Sequence, residues 1–362
     1  MKTATITYHN VYNYGAVLQA YALQKAQESL FIDNVIIDYS SQKNRIFHRI
    51  KGTSLKILIV NVLRLMELFL HFRQIYRCHQ NFELFQKTRV KLTKKYQSLA
   101  QLRENPPKAD YYIAGSDQLW NVSVKIHDEF FLNFGEPGVK RASYAVSMGS
   151  YEVPAEHYIR MKELINRFEV VSVRERKAKE YIDALLYRDI KVMINCDPVF
   201  LLSRDEWTQL AKGRRITEKY ILCYPMSGHP LMQKALMKLK ELTGYITVVI
   251  KTELFTSIKG DIILRDSTPE EFVDLVNRAE YILTTSFHGT AFSTIFNKKF
   301  FSMVGGSAPD RIINLLERFG LEDRVAKEIS DIHMNEVDYT KANETIQRER
   351  AAGLNYLQML NN

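Results

Sequence analysis

The stretch YILTTSFHGTAFSTIF, Tyr281 to Phe296, decides the fold. Tyr281–Leu283 is apolar and strand-like. Thr284 to His288 is a short polar turn rich in hydroxyls. Gly289–Phe296 carries a helical pattern. A strand that feeds a helix through a short polar turn is half of a βαβ unit. Working outward, the same alternation recurs. Strand-like runs at Tyr220–Tyr224, Ile246–Ile250, Ile262–Leu264 and Phe300–Met303 are separated by helical patterns at Leu231–Thr243, Pro269–Arg278 and Asp310–Phe319. Thr268 and Pro269 read as a cap and first helical position, with Glu270 and Glu271 in the first turn. An earlier series runs through Thr3–Tyr8, Gly15–Ser29 (helical), Val35–Asp38, Tyr111–Ala114, Ala142–Val146, Val170–Val173 and Val192–Ile194. The periodicity therefore predicts an α/β protein of two Rossmann-like domains. The expected boundaries are 1–202 for the first domain and 203–335 for the second, with the polar run Ser203–Lys219 as the join. A C-terminal helix over 336–362 is expected to pack back on the first domain.

The chain has 362 residues, 46% of them hydrophobic and 25% charged. These values exclude a disordered or collagen-like chain. The formal charge of +9 is localised. Between Lys43 and Lys95 stand 13 Lys and Arg against 2 Asp and Glu, a local +11, so the remainder is close to neutral. A basic helical insert is expected at about 43–100. Its most apolar part, Leu55–Phe72, carries Lys56, Arg64 and Glu67, too many charges for a membrane span. It reads either as a helix lying in an anionic membrane surface, flanked by Arg45, Arg49, Lys51, Arg73 and Arg77, or as one packed in the domain or a dimer interface. No recognised nucleic-acid module accompanies the charge, so nucleic acid is not an expected partner. The start of the chain runs straight into a strand with no signal-peptide pattern, and Cys78, Cys196 and Cys223 form neither a disulfide framework nor a metal spacing. The expected location is cytoplasmic.

Five segments carry residues suited to chemistry. Each follows a strand-like run. In His9–Ala16, Asn13, Tyr14 and Gly15 either build a helix cap and tight turn or line a polar cleft. After Tyr111–Ala114, Gly115 permits a tight turn; Ser116, Asp117, Gln118 and Asn121 suit sugar hydroxyls, and Trp120 suits stacking on a sugar face. Asp117 reads equally as a helix cap or as a general base. Arg174, after Val170–Val173, is placed to fork a carboxylate or phosphate, or else pairs with Glu175 or Glu180. His288 stands where a helix begins, able to donate a proton near neutral pH. Gly305 and Gly306 allow close backbone approach, and Arg311 is a second candidate anion contact. Walker A loops, zincin helices, nucleophile elbows and a GxGxxG after the first strand are all missing, which argues against a dinucleotide cofactor.

Taken in order, the stretches HNVYNYGAVLQAYAL, AGSDQLWN, ASYAVSMG, SVRE, DPVFLL, TTSFHGTAFSTIF and PDRIINLLERFGL resemble the polysaccharide pyruvyl transferase family over roughly residues 3 to 325. The resemblance implies a GT-B-like two-domain fold and transfer of a pyruvyl group from phosphoenolpyruvate to sugar hydroxyls as a ketal. It implies no cofactor beyond that co-substrate and leaves a divalent metal undecided. It further implies Arg174 as a ligand of the donor's carboxylate or phosphate and His288 as the catalytic acid. The donor is expected largely against the second domain, with Ser286, Gly289, Gly306 and Arg311 around it. Some family members carry an Arg two residues before that His, where this chain has Ser286, and a Lys near the position of Arg311. The implied acceptor is a sugar of a cell-surface polysaccharide, free or carried on a polyprenyl lipid at the inner membrane face. The competing readings are a nucleotide-sugar glycosyltransferase, with Glu270 or Asp274 on a ribose, and a non-catalytic scaffold of a glycan assembly.

Overall fold

The computed structural model describes residues 1–40, 55–213, 216–226, 228–251, 258–305 and 310–361, without the side chains of 55–60, 63, 64, 67 and 68. The first unit contains β1 (Lys2–Ile6), α1 (Tyr14–Ser29), β2 (Asp33–Ile36), α2 (Leu55–Arg89), α3 (Leu99–Glu104), β3 (Tyr111–Asp117), β4 (Lys140–Val146), α4 (Ala155–Ile165), β5 (Val170–Val173), α5 (Arg176–Leu185) and β6 (Lys191–Ile194). A 3₁₀ turn, Pro198–Leu201, and α6 (Arg204–Leu210) lead onward. The second unit contains β7 (Tyr220–Tyr224), α7 (Met232–Thr243), β8 (Ile246–Ile250), β9 (Ile262–Leu264), α8 (Pro269–Arg278), β10 (Tyr281–Thr284), α9 (Phe287–Ile295), β11 (Lys299–Met303), α10 (Asp310–Phe319) and β12 (Val325–Ala326). The chain ends in α11 (Thr340–Met359).

The strands form two six-stranded sheets, in the orders β2-β1-β3-β4-β5-β6 and β12-β11-β10-β7-β8-β9, with every pairing parallel. The α/β, two-Rossmann-like-domain architecture is therefore the observed one. Parallel strands covered by helices on both faces bury both sets of side chains. That is why β7 and β10, buried along their whole length, are legible as short apolar runs. In each sheet the strand order reverses once, between β1 and β3 and between β7 and β10. Ligands of open parallel sheets bind beyond the carboxyl ends of the strands at such points.

The two units share one continuous apolar core. The Tyr14 ring stacks on Phe272 at 4.7 Å, and its hydroxyl donates to the Ser267 carbonyl at 2.9 Å. Phe200 stacks on Phe319 at 4.9 Å. Helix α11 packs on the first sheet, where Tyr356 Oη donates to the Ser143 carbonyl at 2.6 Å and Arg350 Nε to that of Phe200 at 3.3 Å. The reciprocal cap of α8, Thr268 with Glu271, is complete. Gly115, expected in a tight turn, lies instead inside β3. A Cβ there would come within 2.7 Å of Leu23 and Thr5, so close packing of α1 on the sheet demands the glycine.

Candidate functional site

The second switch point is built by hydroxyls. Thr284 Oγ1, at the end of β10, donates to the Tyr224 carbonyl at 2.8 Å and accepts from the Ser286 amide at 3.0 Å. Ser286 Oγ caps α9 by accepting from the Gly289 amide at 3.2 Å. The Gly289 N–H is engaged in the cap, and Ser286 acts first as a capping residue. The turn sets His288 in the first turn of α9, nearly buried, facing the first domain. A Cβ on Gly15 would lie 2.0 Å from His288 Nδ1. The start of α1 therefore rests directly on the imidazole, and only glycine fits between them.

The first domain supplies the counter-charge. Asp197 follows β6, and its Oδ1 caps the 3₁₀ turn by accepting from the Val199 amide at 3.1 Å. Its Oδ2 accepts from Arg174 Nη1 at 2.5 Å and lies 3.5 Å from His288 Nε2. Arg174, at the end of β5, also donates through Nε to Glu175 at 3.1 Å. Arg174, Glu175 and Asp197 are all buried. Burial alone would raise the Asp197 carboxyl, but His288 and Arg174 outweigh it and hold it at about 2. The Arg174 backbone is fixed in turn, because its amide donates to the Val146 carbonyl at 3.1 Å. Next to that carbonyl β4 shifts register against β5 and Ala145 takes φ 45°. Ser172 Oγ secures the irregularity, accepting from the Ala145 amide at 3.0 Å and donating to Asn195 at 2.7 Å.

Arg311 enters from α10. With its amide oriented to match, Gln118 Oε1 accepts from Arg311 Nη1 at 2.8 Å and Nη2 at 2.9 Å. The Arg174 and Arg311 guanidiniums lie 4.4 and 5.9 Å from the Phe287 ring centre. The two cations differ in compensation. For Arg174, burial opposes the charge but Glu175 and Asp197 more than restore it. For Arg311, burial and then the Arg174 charge pull its ionisation below the ordinary value. Both line a small open cleft with Asp197, Phe287 and Asn314. Three buried nitrogens here lack a hydrogen-bond partner: Arg174 Nη2, Arg311 Nε and His288 Nε2. Buried donors are normally paired, so unpaired ones at a cleft mark a place for an acceptor.

Other sequence candidates fall differently. Trp120 is fully buried, its Nε1 donating to the Phe130 carbonyl at 3.1 Å and its ring stacked on Phe131, so no face remains for a sugar. Tyr14 is likewise core. Asn13 is the cap of α1. Asn121 is turned onto Ser123 at 2.7 Å. Buried Ser116 donates to the Ala145 carbonyl at 3.0 Å, with Asp197 Oδ2 3.4 Å away. Asp117, at φ 67°, ends β3 with Oδ1 accepting from the Gln118 amide at 2.9 Å. Gly306 lies outside the described residues. Glu175, named from the sequence as a possible partner of Arg174, does pair with it; Asp197 was not singled out, although it stands inside the quoted stretch DPVFLL.

A comparison with curated proteins gave no significant match. Among solved structures, the UDP-GlcNAc 2-epimerase of Methanocaldococcus jannaschii is similar at 12% identity and TM-score 0.47, over 98% of this chain and 93% of that one. The Neisseria meningitidis UDP-GlcNAc 2-epimerase, bound to UDP-GlcNAc, is similar at 11% identity and TM-score 0.46, over 98% and 94%. Likeness at this distance bears on neither substrate nor reaction. The family model described as polysaccharide pyruvyl transferase matches residues 13–307, from the cap of α1 to just before α10. That span holds His288, Arg174 and Asp197 and most of both sheets, and by it the chain belongs to the polysaccharide pyruvyl transferase family.

Proposed function

We propose that the protein transfers a pyruvyl group from phosphoenolpyruvate to two hydroxyls of a sugar in a cell-surface polysaccharide or its lipid-linked precursor, forming a ketal and releasing phosphate. The observation that carries this reading is the set of unpartnered donors on Arg174, Arg311 and His288. Phosphoenolpyruvate bears a carboxylate and a phosphate, and two guanidiniums with N–H groups to spare suit two anionic groups. His288 protonates the methylene carbon, leaving an oxocarbenium-like centre at the adjacent carbon. One sugar hydroxyl adds there, phosphate departs, and a second hydroxyl closes the ketal. Of the two hydroxyl protons, one balances the proton gained by the methyl group and the other leaves with phosphate. Asp117 is the proposed base for the hydroxyls.

The test is to incubate the purified protein with phosphoenolpyruvate and a panel of free and lipid-linked glycosides. Phosphate release and a product heavier by pyruvate less one water are expected. Turnover of nucleotide sugars with no response to phosphoenolpyruvate would overturn the reading. The residues that a nucleotide-sugar enzyme would place on a ribose are engaged elsewhere, Glu270 with Arg89 at 3.2 Å and Asp274 with Arg278 at 3.4 Å. A purely scaffolding role gives no reason for buried donors left open.

Gly15→Ala offers a second, local check. Its methyl group would overlap the His288 ring, so the imidazole must shift. A displacement near 1 Å at a reacting group costs about 10²-fold in rate. Turnover is expected to fall by about that factor, and the melting temperature to fall with it, because the methyl group also meets His288 Cβ at 2.7 Å and overpacking a buried site costs about 1–3 kcal/mol. Unchanged turnover would mean that the ring position is not critical.

A further inference from the structure

Helix α2 is the feature that the site does not use. Its carboxyl-terminal half is anchored at the cleft rim. His79 stacks on Tyr12 at 3.7 Å, Gln86 Nε2 donates to the His9 carbonyl at 2.9 Å, and Asn81 Nδ2 donates to the Asp266 carbonyl at 2.7 Å. Phe82 and Phe85 are buried. The other half, before a break in helical geometry at His71, is different. Val62, Leu65, Met66, Phe69 and Leu70 are exposed there, Phe69 to 85%, and Phe72 and Tyr76 just after the break are exposed as well. Within the half before the break, spacings of three and four residues place Val62, Leu65, Met66 and Phe69 on one helical stripe. An apolar stripe of this length left open on a soluble surface marks an interaction site.

We infer that this half of α2 is a membrane-docking helix that lies in the headgroup region of an anionic bilayer. The charge chooses the occupant. The segment from Lys43 to Lys95 carries a local +11 in sequence; Arg77, Arg89 and Lys91 pair with Asp266, Glu270 and Glu28, while Arg73 beside the stripe is exposed. An anionic surface neutralises that charge, whereas a second copy would bring an equal positive charge against it. Among the described residues no helix is long and apolar enough to cross a membrane, so α2 lies on the bilayer and does not span it. From Leu65 to His79 the helix extends about 20 Å at 1.5 Å per residue. Docking thus holds the Tyr12 side of the cleft, next to Gly15 and His288, at a fixed short distance from the lipid surface.

The experiment is co-sedimentation of the full-length protein with phosphatidylcholine vesicles, with and without phosphatidylglycerol, at low and high salt. Binding to the anionic vesicles, weakened by salt, is expected. The double variant Phe69→Asp, Leu70→Asp should lose at least tenfold in binding while its far-ultraviolet dichroism and melting temperature match wild type, since both side chains are exposed. The single variant Arg73→Glu should weaken binding to anionic vesicles only. Absence of binding to either vesicle overturns the inference, as does equal binding by the double variant. A concentration-dependent dimer that the double variant abolishes, without vesicle binding, would assign the stripe to a second copy and also overturn it.

Discussion

His288→Ala is expected to lower pyruvyl transfer by about 10²–10⁴-fold, the usual worth of a positioned proton donor. The fold should survive. His288 Nε2 faces Asp197 Oδ2 at 3.5 Å, too far for a good hydrogen bond, and Asp197 keeps the closer Arg174 as its partner when the imidazole is removed. The loss should therefore appear in turnover at saturating phosphoenolpyruvate, with a melting curve close to wild type. His288→Asn separates two ways in which the ring could act. If the imidazole only fills space against Gly15, the similarly sized amide restores much of the rate. If it delivers a proton, the amide does not. Near-wild-type turnover in both variants would remove His288 from the mechanism.

Much of this arrangement is legible in the sequence, for identifiable reasons. Buried parallel strands are continuous apolar runs, and Tyr220–Tyr224, Ile246–Ile250 and Val170–Val173 fall where those runs lie. Thr268-Pro269 marks a helix start because the chemistry of capping is local. The polar clusters at strand ends follow from the same logic, since the chain must turn there. What is not legible depends on which strand ends become neighbours. Asp197 stands before a proline, and one of its oxygens caps the 3₁₀ turn. The other oxygen meets Arg174 and His288, which only the packing of β5, β6 and β10 brings together. Gly15 is equally opaque. Its need for glycine comes from a ring on the other domain, with no trace in its own helix. Trp120 misleads in the opposite sense. Its polar neighbours suggest an open site, while Phe131 and Phe168 close over the indole. Local signals set where a site is possible, and tertiary packing decides which of those side chains reach it.

Arg174 joins both halves of the problem, so its replacement is expected to act on stability as well as on the donor. From the sequence alone Arg174→Ala should mainly weaken phosphoenolpyruvate binding. The buried network changes that expectation. Without the guanidinium, Asp197 and Glu175 are buried carboxylates that lose their shared cation. Removing one partner of a buried pair costs about 3–5 kcal/mol. Arg174→Ala should therefore melt well below wild type and accumulate poorly, which would hide any effect on KM. Arg174→Lys makes the separation. An ammonium keeps the charge but cannot reach Asp197, Glu175 and a ligand together as the fork does. It should recover most of the lost stability while the KM for phosphoenolpyruvate stays raised by at least tenfold, because the free Nη2 donor is gone. A raised melting temperature with an unchanged KM would make Arg174 a structural cation and leave Arg311 as the donor's anchor. An unaltered melting temperature in Arg174→Ala would instead mean that Asp197 is held by other groups, and His288, 3.5 Å away, is the one in position to do it.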